Sequence, residues 1–320
     1  MGVDLAVDGG QSGLRMALVE ADTDRPRAGT SVQAPGFAWG AGVDLVTSNV
    51  EAITGAWREL GSPGPVSSIA CGLSGGPIDH ERRTRLGAEL IDRLGASRAI
   101  ITGDDVITHA GALAGQTGVV LAAGTGVVCT AIDAAGRRVR TDAWGYLFGD
   151  AGGGSWLGQR GLRAAMAASE GRKHPTKLTD RAVERFGELR AFVHRVLAAP
   201  TLVTEVASFA RDVLALADAG DEVAAALCSR AANELATTVA ATVRRAYPDA
   251  ESHSVPFTWT GSIVLTGETV RLPMLARLAE LCPQASPRPP LGNGLDGAAL
   301  LATTSGTAHH AISTEFPAAP

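Results

Sequence analysis

The chain has 320 residues, of which 45% are hydrophobic and 19% are charged, and its formal net charge is −5. This composition is typical of a soluble globular protein that is long enough for two domains, each with its own core. The negative net charge and the lack of a Lys/Arg run argue against a nucleic-acid partner, and no apolar stretch is long enough to cross a membrane.

The four cysteines, Cys71, Cys129, Cys228 and Cys282, are far apart in the sequence. No CxxC pair or Cys/His cluster is present, which argues against a structural zinc or iron–sulfur site within one chain. We expect these side chains to be small buried hydrophobes. The sequence begins directly with an apolar strand and no basic segment precedes it, so a cytoplasmic location is expected.

The predicted elements fall into two halves that begin in the same way. In each half a strand, a turn of small residues and a second strand are followed by helices. The first half predicts strands at 3–7 and 15–19, a loop over 22–44, a helix near 45–60, a strand at 68–73, a helix at 80–94, a strand at 98–102 and a helix at 105–114. The second predicts strands at 119–122 and 127–132, mostly helix over 155–247, a strand at 258–265, helices at 272–281 and 297–304, and a loose tail. The repeat predicts two related α/β domains, residues 1–115 and 116–320, on either side of a central cleft, with the last helix packing back on the first domain.

The first glycine turn, "DGGQSG", follows a buried strand that ends in Asp8. Glycines let backbone N–H groups approach an anion, and the side chains of Gln11 and Ser12 add donors. The second turn, "AAGTGVV", has the same context, so both turns are candidate phosphate loops. An ordinary hairpin turn explains each of them equally well when it is taken alone.

Asp104 and Asp105 come directly after a buried strand and before a helix. A carboxylate at a strand end can accept a proton from a substrate hydroxyl that attacks phosphorus. The alternative is a helix N-cap, which we assign to Asp105. Since two adjacent acids cannot both cap the helix, Asp104 is the candidate catalytic base.

Two further stretches are candidate ligand contacts. "DAWGYLFGDAGGGSW" places Asp150 among glycines and tryptophans, a combination that suits a sugar, although a loop that only changes direction explains it too. In "TWTGSIVL", Gly261 and Ser262 either approach a nucleotide or close a core strand.

Taken together, these motifs resemble the N-acetylglucosamine kinase and BadF/BadG-type ATPase branch of the actin–hexokinase–heat-shock-chaperone superfamily, over nearly the whole chain. The segment from Asp8 to Gly13 resembles the phosphate-1 motif, Gly124-Thr125-Gly126 the phosphate-2 motif, and Gly261-Ser262-Ile263 the adenosine motif. The "WGxxxGD" sugar loop matches from Trp144 to Asp150. Ala151 and Gly153 depart from the family's Gly-Asp-Glu-Gly-Ser run, which affects the expected sugar specificity.

The resemblance implies an α/β fold with two ribonuclease H-like (actin-like ATPase) domains, and it implies ATP and Mg²⁺ as cofactors. Asp104 is then the catalytic base, and Asp8 positions water on Mg²⁺. The implied ATP and phosphate contacts are Asp8, Gly9, Gly10, Gln11, Ser12, Gly124, Thr125, Gly126, Gly261 and Ser262. The implied sugar contacts are Trp39, Ser74, Asp104, Trp144, Gly145 and Asp150.

The expected activity is transfer of the γ-phosphate of ATP to a sugar hydroxyl. By resemblance, the acceptor is the 6-OH of an amino sugar such as N-acetylglucosamine or glucosamine, and relatives commonly form homodimers. Two alternatives share the fold: an ATPase that drives a partner protein, and a sensor that binds sugar or nucleotide without turnover. Sugar-independent hydrolysis would mark the first, and ligand binding without hydrolysis would mark the second.

Overall fold

The computed structural model describes residues 2–10, 13–20, 27–38, 42–74, 79–199, 201–249 and 254–317. The chain divides into two compact units. Unit 1 comprises Met1–Val120, Thr130–Arg138 and Pro289–Pro320, and unit 2 comprises Leu121–Cys129 and Val139–Arg288. Because the chain enters unit 1 three times, the two units are not simply consecutive in sequence. The single domain boundary after residue 115 stays a prediction.

The elements alternate between strand and helix in the first part of the chain and are mainly helical in the middle. In chain order they are β1 (Val3–Gly10), β2 (Gly13–Glu20), β3 (Arg27–Ala34), α1 (Leu45–Glu59), β4 (Val66–Leu73), α2 (His80–Leu94), β5 (Arg98–Gly103), α3 (Asp104–Ala112), β6 (Gly118–Ala123), β7 (Val127–Ile132), β8 (Arg138–Asp142), α4 (Gly154–Ser169), α5 (Lys177–Phe186), α6 (Leu189–Leu197), α7 (Leu202–Ser208), α8 (Ala210–Asp218), α9 (Glu222–Ala246), β9 (Val255–Thr260), α10 (Ser262–Leu265), α11 (Glu268–Leu281), β10 (Ala285–Pro287), α12 (Gly294–Thr303) and β11 (Thr314–Pro317).

The sheet of unit 1 has the strand order β11-β5-β4-β1-β2-β3. β1, β4 and β5 are parallel to one another, whereas β2, β3 and β11 pair antiparallel with their neighbours. Alternate residues of a strand point to opposite faces. Leu5 and Ile69 therefore pack with α1 and α2 on one face, while Ala6 and Ala70 pack with α3 and α12 on the other. The sheet is covered by helices on both faces.

The helices α3 and α12 approach each other at two glycines. A Cβ on Gly111 would lie 1.8 Å from the carbonyl oxygen of Asn293, and a Cβ on Gly297 would lie 1.8 Å from that of Ile107. No side chain fits at either position without displacing backbone. Asn293 also begins α12 with a capping box, in which its side chain accepts from the backbone and Asp296 bonds the Asn293 N–H in return.

The second sheet has the strand order β10-β9-β6-β7-β8, and β9 and β10 are parallel. The long helix α9 supplies a continuous buried stripe that includes Leu235 and Val239, at the spacing of one helix turn. Asp221 caps α9, and its carboxylate also accepts from the backbone N–H of Lys177 at the start of α5. One aspartate therefore fixes the beginnings of two helices.

Three predicted elements differ in the structure. β3 lies within the stretch that was predicted as loop, because it is an edge strand without a strong apolar pattern. The strand predicted at 258–265 ends at Thr260, and Ser262–Leu265 is a short helix, since Gly261 reverses the backbone at φ +93°. The tail predicted to be loose pairs through Thr314–Pro317 with β5.

The cysteines and the lengths of the helices also bear on the expectations from sequence. All four cysteines are buried and unpaired, as expected for small hydrophobes. Burial raises the pKa of the Cys71 thiol far above its ordinary value and that of Cys129 to about 12, so neither is a thiolate near neutral pH. Within the described ranges, no helix has the length and hydropathy needed to cross a bilayer.

Candidate functional site

In unit 1, three parallel strands bring polar side chains to one edge of the sheet. Gly9 of β1 pairs with Leu73 of β4, which pairs in turn with Gly103 of β5. Asp8 lies one residue before Gly9. Ser74 lies one residue after Leu73, and Asp104 lies one residue after Gly103. Since the carboxyl ends of parallel strands are where α/β proteins bind ligands, this edge is the candidate site.

Asp104 is the first residue of α3 and is partly buried beside two other carboxylates. Its carboxylate accepts the Asp105 N–H at 2.9 Å and a hydrogen bond from the Ser74 hydroxyl. Burial raises the pKa of Asp104 above its ordinary value, and the negative charges of Asp105 and Asp8 raise it further. A carboxylate with a raised pKa accepts a proton more readily, which suits a general base.

The cavity at this edge has a volume of about 480 Å³ and is lined by Asp8, Gly9, Gly10, Gly13, Leu14, Arg15, Gln33, Ala34, Ser74 and Asp104. Predicted catalytic, phosphate and sugar residues therefore meet in one place. Arg15 is the cationic residue of this lining, and its guanidinium pairs with the carboxylate of Asp8. The prediction from sequence missed Arg15. The hairpin register, which places Arg15 opposite Asp8, is a signal that would have found it.

The expectation that Asp105 caps α3 is wrong. Gly103 is the N-cap residue, without a side-chain bond, and Asp105 lies inside the first turn. Its buried carboxylate instead accepts from the Thr130 hydroxyl at 3.1 Å and lies 3.5 Å from an Arg138 nitrogen. Asp105 therefore ties the first turn of α3 to the residues 130–138, which belong to the same unit.

In unit 2, the loop Gly124-Thr125-Gly126 lies against the beginning of α4. The backbone N–H of Gly154 donates to the Gly124 carbonyl at 2.8 Å, and that of Ser155 donates to the Thr125 carbonyl at 2.9 Å. Gly261 also packs closely on this loop, since a Cβ there would lie 2.4 Å from the Ala123 carbonyl. The predicted phosphate-2 and adenosine motifs are thus in direct contact.

Asp150 is buried, and its carboxylate accepts the backbone N–H of Val127 at 2.9 Å, directly after this loop. Burial raises the pKa of Asp150, and the nearby charge of Asp142 raises it further. Asp142 was not predicted; its carboxylate accepts the N–H groups of Asp150 and Ala151 at 2.8 and 3.2 Å. Hydrogen bonds to the two aspartates therefore link Val127, Asp150 and Asp142 in series and fix the glycine-rich loop.

Trp144 and Gly145 lie on the same loop, between Asp142 and Asp150. Trp144 is 75% exposed, and Gly145 has φ +79°. The Trp144 ring is therefore open to a ligand. The remaining predicted residues Gln11, Ser12 and Trp39 lie outside the described ranges.

The residues of unit 1 fit the Mg²⁺ ion that the resemblance implies. Mg²⁺ is usually held by one or two carboxylates together with waters and substrate phosphates. Asp8 and Asp104 supply two carboxylates in one cavity, beside glycines whose backbone allows a phosphate chain to approach. Within the described residues no group of three or more His, Cys, Asp or Glu side chains could hold a metal by itself. A metal at this edge would therefore depend on phosphate oxygens.

Comparison with known proteins identifies one curated relative. An N-acetylmuramic acid/N-acetylglucosamine kinase from Clostridium acetobutylicum is 28% identical over 181 residues. The alignment spans 55% of this chain and 58% of the relative, so it covers little more than half of each protein.

Solved structures share the fold over almost the whole chain. A protein from Chromobacterium violaceum, provisionally named as an N-acetylglucosamine kinase, superposes with a TM-score of 0.71 at 24% identity, covering 95% of this chain and 99% of that one. A ROK family glucokinase from Streptomyces griseus, in complex with glucose and AMPPNP, gives a TM-score of 0.61 at 16% identity and covers 94% and 98%. These likenesses confirm the predicted fold class of two actin-like ATPase domains. The family model for the BadF/BadG/BcrA/BcrD ATPases matches residues 5–302, and the chain belongs to that family.

Proposed function

We propose that this protein is an ATP-dependent sugar kinase that phosphorylates an amino sugar, such as N-acetylglucosamine or glucosamine, at its 6-hydroxyl. The observation that carries the proposal is the meeting of Asp8, Ser74 and Asp104 at the carboxyl ends of three parallel strands, in a cavity of about 480 Å³. The name of the curated relative supports an amino-sugar acceptor.

In this proposal Asp104 is the general base. Its carboxylate accepts the proton of the sugar hydroxyl as that oxygen forms a bond to the γ-phosphorus of ATP. The bond between the γ-phosphorus and the β,γ-bridging oxygen breaks, and ADP leaves with the bonding electrons. Ser74, which donates to Asp104, orients the carboxylate and is a candidate sugar contact.

The glycine loops bind phosphate. In unit 1 the backbone of Gly9 and Gly10 lines the cavity, and in unit 2 the exposed Thr125 hydroxyl is the corresponding donor, whereas the Gly124 N–H already donates to the Gly126 carbonyl. Asp8 would orient the water molecules of bound Mg²⁺. The metal, when bound, supplies positive charge that stabilises the transferring phosphoryl group.

In unit 2 the sugar contacts are Trp144, Gly145 and Asp150. An exposed tryptophan ring can cover the apolar face of a sugar, and a carboxylate can accept from paired hydroxyls. Ala151 stands where the family pattern has glutamate; it has no polar side chain, and its backbone N–H already donates to Asp142. We therefore expect a sugar specificity that differs from that of relatives with the glutamate.

The test is a coupled assay of ADP release with N-acetylglucosamine, glucosamine, N-acetylmannosamine, glucose, N-acetylmuramic acid and no sugar. The expected result is that an amino sugar stimulates ADP release. Asp104→Asn should lower kcat by about 10²- to 10⁴-fold, the usual contribution of a general base. Asp133→Asn is the matched control, because Asp133 pairs with Arg137 outside the cavity and should leave kcat unchanged.

Other outcomes separate the alternatives. ADP release at the same rate with and without every sugar would favour an ATPase that drives a partner protein. Binding of sugar or nucleotide without ADP release would favour a sensor. The product of a positive reaction would be examined by phosphorus and proton NMR, and a phosphate on any oxygen other than O6 would contradict the proposed position.

A further inference from the structure

In unit 1, the helix α3 begins with the candidate base and has no ordinary cap. Its N-cap residue, Gly103, makes no side-chain hydrogen bond to the N–H groups of the first turn. Such a bond ordinarily stabilises the beginning of a helix. The place of Asp104, the first residue of α3, therefore depends on what ties this turn to the rest of the unit.

The next residue, Asp105, provides that tie. It is only 7% exposed, and its carboxylate accepts a hydrogen bond from the Thr130 hydroxyl at 3.1 Å and lies 3.5 Å from a guanidinium nitrogen of Arg138. A buried carboxylate is stable only where it is paired and hydrogen-bonded, so these contacts fix its place. A Cβ on Gly103 would lie 2.5 Å from an Asp105 carboxylate oxygen, so a capping side chain at residue 103 would displace it.

The backbone of Asp105 transmits this constraint to Asp104. The Asp105 N–H donates to a carboxylate oxygen of Asp104 at 2.9 Å, and the Ser74 hydroxyl donates to the same carboxylate. A shift of the Asp105 side chain therefore moves a donor that orients Asp104. Thr130 is buried and lies outside the described lining of the cavity, whereas Asp104 is part of that lining. Hydrogen bonds thus connect a buried hydroxyl outside the cavity with the candidate base inside it.

The rest of α3 is held by separate contacts. His109 lies one helix turn beyond Asp105 on the same face, and its Nε2 is 3.0 Å from the Gly118 carbonyl. Gly111, near the end of the helix, packs closely on Asn293 at the start of α12. Loss of the contact between Asp105 and Thr130 should therefore move the first turn and leave the body of α3 in place.

We propose that Asp105 and Thr130 are positioning residues: together they hold the Asp104 carboxylate where it accepts the proton of the acceptor hydroxyl, a role that rests on the function proposed above. A general base must lie within hydrogen-bond distance of the proton that it takes, and a displacement of about 1 Å can lower the rate by about 10²-fold. Because neither residue belongs to the described cavity lining, loss of either contact should lower kcat and leave the KM values unchanged.

The test is steady-state kinetics of Thr130→Val, which removes the hydroxyl, nearly keeps the shape of the side chain and leaves the charge of Asp105 in place. The kcat should fall about tenfold, with the KM for sugar and for ATP within about twofold of the wild type. Thr130→Ser restores the hydroxyl and should recover most of the lost kcat. The matched control is Thr54→Val: Thr54 is another buried threonine of unit 1, its hydroxyl donates to the Val50 carbonyl within α1, and its loss should leave kcat unchanged.

A double variant shows whether Thr130 acts through the base. In the Asp104→Asn background, Thr130→Val should leave the residual kcat unchanged, because no general base remains to be positioned. A further loss of about tenfold in this background would mean an effect independent of Asp104 and would overturn the proposal. An unchanged kcat in Thr130→Val alone would overturn it too. If Thr130→Val fails to fold by circular dichroism, Arg138→Gln decides in its place: Arg138 is exposed, and kcat should fall about threefold with unchanged KM.

Crystal structures of the wild type and Thr130→Val test the positioning without any activity. The Asp104 carboxylate should change its orientation relative to the Ser74 hydroxyl, while α3 from His109 onwards stays in place. An unmoved Asp104 carboxylate would overturn the inference even if the wild type phosphorylates a sugar. Absence of sugar-stimulated ADP release in the wild type would instead contradict the proposed function, and the two structures would still decide whether Thr130 and Asp105 position Asp104.

Discussion

Arg15 lies directly opposite Asp8 in the antiparallel pair of β1 and β2, and its guanidinium donates to the Asp8 carboxylate. The pair lines the candidate site in unit 1, where Asp104 adds a second carboxylate. Arg15 therefore offsets negative charge in a cavity that is proposed to receive the negatively charged phosphates of ATP.

Replacing Arg15 with glutamine should weaken the binding of ATP. The cavity would keep two carboxylates and lose its cation, so we expect the KM for ATP to rise about tenfold. The free energy of unfolding should change by less than about 1 kcal/mol, because the ion pair is exposed to solvent. Steady-state kinetics and urea denaturation measure the two effects.

The matched control is Arg85→Gln, which removes an exposed arginine paired with Asp44 elsewhere in unit 1. Its ATP KM should equal that of the wild type. An unchanged KM in Arg15→Gln would mean that Arg15 serves only to neutralise Asp8.

Two substitutions of Asp150 should separate its contact with backbone from its proposed contact with sugar. Asparagine keeps an oxygen that can accept the Val127 N–H, so Asp150→Asn should raise the KM for sugar and leave that for ATP unchanged. Alanine removes the acceptor and leaves a buried N–H unpaired, so Asp150→Ala should raise both values, each by about tenfold. Equal KM values in the asparagine variant and the wild type would argue against a sugar contact.

Gly297→Ala should destabilise the protein by about 3 kcal/mol, because its Cβ would lie 1.8 Å from the carbonyl oxygen of Ile107 and α3 and α12 would have to separate. Urea denaturation gives the free energy. Gly55→Ala is the control: Gly55 lies within α1 with open space around its Cβ, and alanine there should stabilise by about 1 kcal/mol. Similar losses in both variants would contradict the close approach of α3 and α12.

A buried pair of histidines should make the protein sensitive to acid. The Nε2 of His109 lies 3.0 Å from the Gly118 carbonyl, so it carries the proton and donates. The Nδ1 of His109 then accepts from the Nε2 of His309 at 2.9 Å. Burial lowers the pKa of His109 to about 4 and that of His309 to about 3, from an ordinary 6.5.

The unfolded chain protonates these histidines near pH 6.5, whereas the folded protein keeps them neutral. The full free energy of unfolding is therefore available only above about pH 6.5. It should fall as the pH drops from about 6.5 towards 4, by up to about 1.4 kcal/mol per pH unit for each histidine. His309→Gln retains a donor at the same place without titrating, so its unfolding free energy should depend less steeply on pH over this range. The exposed His174→Gln is the control, and a slope in His309→Gln equal to that of the wild type would contradict the prediction.

The sequence predicted the parts of the fold that depend on local pattern. The strands around Asp8, Ser74 and Asp104 are short apolar runs that end in glycine or polar residues, and their ends are where the site was expected. The elements missed were those that tertiary packing determines. Ile263 and Val264 favour a strand by themselves, but the positive φ of Gly261 and its packing on Ala123 turn the chain into a helix.

The partners of individual side chains were less predictable. Asp105 has the ordinary sequence context of an N-cap, yet its carboxylate contacts Thr130 and Arg138, which are 25 and 33 residues further along the chain. Asp142 supports the glycine-rich loop from outside the recognised motif, and no local pattern indicates that role. Arg15 is the exception, because counting residues along the hairpin is enough to place it opposite Asp8.

The return of the chain to unit 1 after residue 288 has a consequence for synthesis on the ribosome. The helix α12 packs on α3, β1 and β4, and β11 completes the sheet edge beside β5. The strands β1 and β4 are therefore synthesised long before the helix α12 that completes the cover of their second face, whereas residues 139–288 of unit 2 emerge earlier than α12 as one continuous segment. A nascent chain stalled before residue 289 would expose the alanine-rich face of the first sheet to chaperones.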